Sequence, residues 1–420
     1  MTLAEYATQR TFRSLRVRNY RLFFFGQLVS VSGTWMQQLA QDWLVLKLTN
    51  QPLPVGVTTA LQFAPVLAFG AWGGAVADRL DKRRLLLTTQ ATMGSLALVL
   101  GTLTALGQIR LWMVYGLALL LGCATAFDMP TRQAFVTEMV GPEYLTNAVG
   151  LNSAVFNSAR VIGPAAAGVL IAAVGLAPAF LLNAASYLAV IGGLWAMDPE
   201  RLYRRRPAVE RSRGQVRAGL RYVLATPALR STILLVAVIG TLGLNYRVAL
   251  PLLARFTFHG GPSAYGMLAS VMAGGSVVGA LLAARRSRPT RLLLLGSAAA
   301  FGILSLVAAA APNLALEAVV LVPVGLTSIS FVTVANTTLQ LCSDAAMRGR
   351  VMSLYGLVFM GSTPVGSVLV AWLAGHYGPR SGLVLCGVSS LAASVVAILV
   401  ALRRRRAPVA VAAEDAGQAA

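Results

Sequence analysis

Twelve apolar runs, separated by short polar or turn-forming stretches, account for most of the chain. The first six cover 20–48, 54–77, 84–106, 111–130, 146–173 and 177–197. The second six cover 229–254, 263–284, 291–311, 314–338, 349–374 and 381–402. A helix crossing hydrocarbon needs roughly 20 apolar residues, so each run is long enough to span. The longest polar stretch, 198–228, holds eight arginines and divides the chain almost evenly. The pattern predicts a first six-helix bundle over 1–197 with a basic N-terminus, a linker over 198–228, a second bundle over 229–402 and a tail over 403–420.

Composition narrows the class. The 420 residues are 57% hydrophobic and 12% charged, against about 25% charged in a soluble domain. That excludes a soluble enzyme with one membrane anchor, and the apolar content excludes a disordered chain. The net charge of +21 would suggest nucleic acid in a soluble protein. Here the bases cluster in short loops. With a cytoplasmic N-terminus, 29 of the 35 Lys and Arg fall on the inner side, 5 on the outer side and Arg160 within a span. This asymmetry predicts a multi-pass inner-membrane protein with both termini cytoplasmic and no nucleic-acid partner. Cys123, Cys342 and Cys386 lie in or beside apolar runs and read as small buried residues, not disulfides.

The halves resemble each other. Pro52 and Gly56 match Pro262 and Gly266 at an offset of 210, and Ser153, Pro164 and Gly175 match Ser353, Pro364 and Gly375 at an offset of 200. Two parallel six-helix repeats point to a carrier whose substrate site lies between them near mid-membrane.

The turn after the second run reads Gly74-Ala75-Val76-Ala77-Asp78-Arg79-Leu80-Asp81-Lys82-Arg83-Arg84. It resembles the Gly-x-x-x-Asp-Arg-x-Gly-Arg-Lys/Arg loop motif of the major facilitator superfamily, with Asp81 in place of the second Gly. The stretches Asp128–Phe135, Asn147-Ala148, Gly163-Pro164 and Arg348–Ser353 are similar to the enterobactin-exporter and macrolide-efflux branch. The resemblance covers roughly 12–402 and implies an all-α membrane fold of twelve helices in two pseudo-symmetric bundles. It also implies a conformational latch on the inner face. There Asp78 and its basic neighbour Lys82 would join Asp128, with Gly74 and Arg79 in the motif. Asp78 would face the eleventh helix near Arg348, where an anion is favourable at a helix start. The second half, at Ala283-Ala284-Arg285-Arg286, lacks the motif Asp, so the latch is expected on one side only.

Gly163, Pro164 and Gly168 partly match the antiporter motif of drug exporters, although small residues also let helices pack closely. Ser153, Asn157 and Arg160 share one helical face. Arg160 falls near mid-span, where a charge costs about 2.5–3.5 kcal/mol on the mild insertion scale, so it should face the interior and find a partner. Trp35, Gln38 and Asp42 repeat every three to four residues and make one polar, aromatic face of the first span. Asp42 is the candidate partner of Arg160 and the candidate proton carrier; the alternatives are a structural pair to Lys47 or Arg160, or an acid snorkelling to the interface. Proton-coupled relatives often carry an Arg in the fourth span four residues before a Gly; here that position is Ala118, before Gly122.

In the second half, Asn245, Tyr246 and Arg247 interrupt the seventh run. Arg247 and Glu317 read as interfacial, while Asn245 and Arg247 are also candidates to face the cavity. Trp35, Phe63 and Phe156 are candidate apolar walls. Arg160 with Arg247 would suit an anionic or catecholate substrate. Neither Lys follows a Gly, so there is no Walker loop for ATP. His259 and His376 are too few for a histidine metal centre, and no nucleophile–base constellation stands out. The expectation is a monomeric, cofactor-free carrier, not an enzyme, exporting amphipathic organic molecules against protons. A lipid flippase on the same fold and a non-transporting membrane sensor are the rival readings.

Overall fold

The computed structural model describes residues 11–203, 215–284 and 289–406. The linker arginines between 204 and 213, Arg285, Arg286 and the tail beyond 406 lie outside the described residues. Among the described residues the chain is helical, with no strand. In order, the helices are α1 (Arg18–Thr49), α2 (Leu53–Arg79) and α3 (Lys82–Ala105). A 64-residue helix, Leu111–Val174, follows, then α6 (Ala177–Trp195). The second half holds α7 (Pro227–Thr257), α8 (Pro262–Ala284) and α9 (Arg291–Ala309). It ends with α10 (Leu314–Leu341), α11 (Ala345–Tyr377) and α12 (Arg380–Arg406).

At about 1.5 Å per residue the 64-residue helix would be about 96 Å long, three times the hydrocarbon thickness. It is broken at Gly141, where φ is 68°. Glycine adopts that left-handed backbone without a Cβ clash, and Pro142 starts the second arm, as proline does at a helix start. We call the arms α4 (111–140) and α5 (142–174). Among the described residues ten helices are both long and apolar enough to cross a membrane. The bent helix contributes two arms, and α1 has the length but too polar a face, with Gln27, Gln37, Gln41 and Asp42 all buried inside the bundle.

Two local differences from the apolar pattern have clear causes. Residues 131–140 read as a polar turn, yet the helix continues through them. Phe135, Val136, Met139 and Val140 are buried against Tyr20, Phe23, Leu86 and Leu194, which holds the extra turns. The linker contains a helix, Gln215–Ala225. Its Val223 is buried, and its Tyr222 hydroxyl donates to Asp344 Oδ2 at 2.9 Å.

The linker marks one face of the bundle. Asn19 Nδ2 at the start of α1 donates to Asp198 O at 2.8 Å, and Arg83 Nε donates to Leu194 O at 2.7 Å. The start of α1, the α2–α3 turn and the α6 exit therefore share the linker face. Within the first half α1 and α3 pack on α6, and α2 packs on the bent helix; within the second, α8 packs on α10, and α9 on α10 and α12. The halves meet along α2–α11 and α5–α8.

These two seams are built alike. A Cβ on Gly56 of α2 would lie 2.4 Å from Ser367 O of α11, and one on Gly266 of α8 would lie 2.4 Å from Pro164 O of α5. Gly56 and Gly266 are the positions that match between the repeats. Both contacts fall near the face opposite the linker, hereafter the far face.

Candidate functional site

Gln38 and Asp42 lie one turn apart on α1, so their side chains share a face. α2 brings Gln62 and Phe63 opposite them. From the second half come Arg247 of α7 and Tyr265 of α8. Arg247 reaches this point because α7 is not a regular helix. A π-turn over Ile239–Gly243 leads into Leu244 and Asn245, and the helix restarts at Tyr246. Such irregular turns re-aim side chains and recur at functional sites.

The six residues form a network that joins the halves. Tyr265 donates its hydroxyl to Asp42 Oδ2 at 3.0 Å, and Arg247 Nε lies 3.6 Å from the same oxygen. Arg247 Nη2 donates to Gln62 Oε1 at 2.7 Å. With its amide oxygen turned inward, Gln38 accepts from Arg247 as well. The guanidinium also stands 5.5 Å from the centre of the Phe63 ring, within cation–π range. Asp42 has no exposed surface. A buried charge pair is costly to break by removing one member, because the other is left uncompensated.

Beside the network lies a cavity of about 330 Å³ between the halves, at the lower end of the range for small-molecule sites. Trp35, Gln38, Phe63, Arg160 and Pro164 line it from the first half. Tyr246, Arg247, Tyr265, Met272, Ser328 and Phe359 are among its walls from the second. Arg160 meets Ser276 of α8, Nη2 to Oγ at 3.3 Å; Asp42 is paired with Arg247 instead. Arg247, read from sequence as interfacial but also as a candidate to face the cavity, sits in the cavity wall. Asn157 and Asn245 stand outside the lining. The first donates to Ser153 O at 2.8 Å, and the second is buried and donates to Thr241 O at 2.7 Å. Glu317 is fully buried at the start of α10 and does not line the cavity.

Gly163, Pro164 and Gly168 mark close helix approaches. A Cβ on Gly163 would stand 2.5 Å from the Trp35 Cβ on α1, and one on Gly168 would stand 3.0 Å from Pro262 O on α8. Pro164 lies between them and faces the cavity.

The motif residues occupy the linker face. Asp78, Arg79 and Arg348 are exposed, and Gly74 is half-buried. Lys82 Nζ pairs with Glu138 Oε1 at 2.8 Å, where the resemblance implied Asp128. Asp128 is instead buried in the first bundle. It accepts from Thr89 Oγ1 at 2.8 Å and Gln90 Nε2 at 2.7 Å, and from Arg132, which also donates to Gln27. Arg348 Nε donates to Gln340 O at 3.0 Å. Asp81, in place of the motif glycine, has φ −63° and ψ 113° and accepts from Arg84 N at 2.9 Å. No left-handed backbone is required there, and the aspartate caps α3.

Three participants escaped the reading of the sequence. Gln62 could have been found as the lone amide in the apolar run of α2. Glu138 could have been found by extending the α4 helix past Thr131. Tyr265 carried no signal of its own, because its role depends on how α8 meets α1 across the halves.

Comparison with known proteins places the chain. The profile of a family described as transmembrane secretion effector matches residues 9–416. The chain is 25% identical over 384 residues to the Staphyloferrin A transporter of Staphylococcus aureus, covering 90% of this chain and 94% of the relative. It is 26% identical over 387 residues to the multidrug efflux pump Tap of Mycolicibacterium fortuitum, with the same coverage. It is 27% identical over 398 residues to the enterobactin exporter EntS of Escherichia coli, covering 92% of each. Among solved structures, a peptide transporter, POT, superposes with a TM-score of 0.75 at 12% identity, covering 91% of this chain and 94% of that one. A bacterial homologue of the iron transporter ferroportin, in an inward-facing state, gives 0.70 at 16% identity, covering 91% and 98%. The fold is that of these transporters, and the chain belongs to the transmembrane secretion effector family of the major facilitator superfamily.

Proposed function

We propose that this protein is a secondary active exporter of amphipathic organic compounds, working by proton-coupled alternating access in the inner membrane. The observation that carries the reading is the Asp42–Arg247–Tyr265 network, which ties the halves together on the far face. The positive-inside asymmetry supports placing the linker face and both termini in the cytoplasm. In that orientation the far face is the outer gate, closed, and the cavity awaits substrate from the cytoplasm. Relatives that export siderophores or pump drugs support the outward direction.

The chemistry follows from burial. Opening the outer gate separates Asp42 on α1 from Arg247 on α7. Each charge would then need a new partner. A proton taken up by Asp42 from the outer side removes one of them, and Arg247 returning on closure replaces that proton. Substrate and proton thus alternate at adjoining groups, because Arg247 both pairs with Asp42 and lines the cavity. Apart from the proton transfer to and from Asp42, nothing in this cycle makes or breaks a covalent bond, and the substrate leaves unchanged, so the chain acts as a carrier and not as an enzyme. Two halves with a central cavity between them form a complete carrier, in keeping with a monomer. The motif residues on the linker face, half-buried Gly74 with exposed Asp78, Arg79 and Arg348, form the inner latch.

Efflux of a compound panel from the cytoplasmic side of inside-out vesicles, with and without a pH gradient, tests the reading. Uptake that collapses with the gradient supports it. Uptake indifferent to the gradient excludes proton coupling, and no uptake of any compound excludes export.

A further inference from the structure

The charged side chains facing the space between the halves are unbalanced in a way that specifies the cargo. In the central cavity they are Arg160 and Arg247. Arg247 is neutralised by Asp42. Arg160 is not: among the described residues it has the Ser276 hydroxyl and no carboxylate. A guanidinium carries five N–H donors, so most of its hydrogen-bonding capacity is unspent. A second cavity, nearer the far face, is lined by Lys47 and Arg255, again with no acid. The rest of the central wall is apolar and aromatic, with Trp35, Phe63 and Phe359 around the arginines.

An unpaired cation at mid-membrane is expensive, and a substrate can supply the missing charge. We propose that the central cavity takes an organic anion, an aromatic or apolar body whose carboxylate, sulfonate or phosphate docks on Arg160. This rests on the cavity being the transport site. Arg160 serves as a bidentate clamp, a geometry its planar fork favours. Lys47 and Arg255 then form the next electropositive station toward the far face. A cationic amphiphile finds no counter-charge along this route.

The test is calorimetric titration of the full-length protein in zwitterionic lipid nanodiscs, corrected for empty discs. Three probes share one body: 3-(2-naphthyl)propanoate, its primary amide, and trimethyl-[3-(2-naphthyl)propyl]ammonium. The propanoate should bind at least tenfold more tightly than the other two. Arg160→Gln should bring the propanoate to the level of the amide while leaving the amide within twofold. Arg160→Lys should keep part of the preference and guards against a folding defect. Equal affinity for all three probes, preference for the ammonium, absence of binding, or an anion preference that survives in Arg160→Gln each overturns the proposal. Repeating the titration in discs containing phosphatidylglycerol separates two sources of the same chemistry. Loss of propanoate binding there makes the occupant an anionic lipid headgroup, and unchanged binding makes it a soluble anion; both uphold the Arg160 site. Because binding is read without flux, an anion preference unaccompanied by efflux overturns the export reading alone.

Discussion

Asp42 of α1 and Arg247 of α7 stand 3.6 Å apart across the boundary between the two halves, with the Tyr265 hydroxyl on the same carboxylate oxygen. Each comes from a different bundle, so the pair cannot survive a movement that parts the bundles on the far face. Its energy therefore belongs to one conformation of the cycle.

Asp42→Asn keeps an oxygen for Tyr265 but removes the charge opposite Arg247. Gradient-driven efflux should fall at least tenfold, and what remains should no longer vary with pH. Insertion should be preserved, with a smaller loss of stability than in Arg247→Leu, because Arg247 keeps Gln62 and borders the cavity whereas Asp42 is fully buried. Flux in inside-out vesicles across a pH series checks this.

Arg247→Leu leaves Asp42 buried without its counter-charge. Removing one member of a buried pair costs about 3–5 kcal/mol, so the single variant should unfold at clearly lower denaturant. Asp42→Asn combined with Arg247→Leu should recover at least half of that loss, because no orphan charge remains. SDS-induced unfolding of the four members of this cycle measures the coupling.

Gly266→Leu would force a side chain into Pro164 O, 2.4 Å from where its Cβ must lie. The α5–α8 seam then cannot close. Nitroxide labels at Gln51 and His259, on the far face of the two halves, should report a longer distance than in the parent. The same labels should be unaffected by Gly274→Ala, a glycine with open space around its would-be Cβ.

At Asp81 the superfamily pattern and the local chemistry diverge. The residue caps α3 with ordinary backbone angles. Asp81→Ala should cost about 1 kcal/mol and Asp81→Gly only a few tenths, read as shifts in thermal stability. A larger penalty for glycine would show that the aspartate does more than cap.

Much of the architecture was legible because hydrocarbon imposes a length and a charge asymmetry on each span. The repeat offsets also had structural content, since the matched Gly56 and Gly266 make equivalent helix approaches. Trp35, Gln38, Asp42 and Arg160 were found because polar residues in apolar runs are costly. The pairing among them was not legible. Arg247 lies where an interface would be counted, and only the irregular turn of α7 carries it inward to Asp42. The resemblance likewise joined Lys82 to Asp128, whereas the helix running on past Thr131 carries Glu138 to Lys82. Partner choice depends on helix rotation and on long-range seams, which spacing along one chain does not encode.

The central claim is that a proton on Asp42 releases the far-face gate. The most direct test is the distance between nitroxides at positions 51 and 259, measured by pulsed electron resonance as a function of pH. In the parent protein, acidification should shift the population toward the longer, far-face-open distance, and Asp42→Asn should show one distribution at every pH. A variant that still titrates as the parent does would contradict the account.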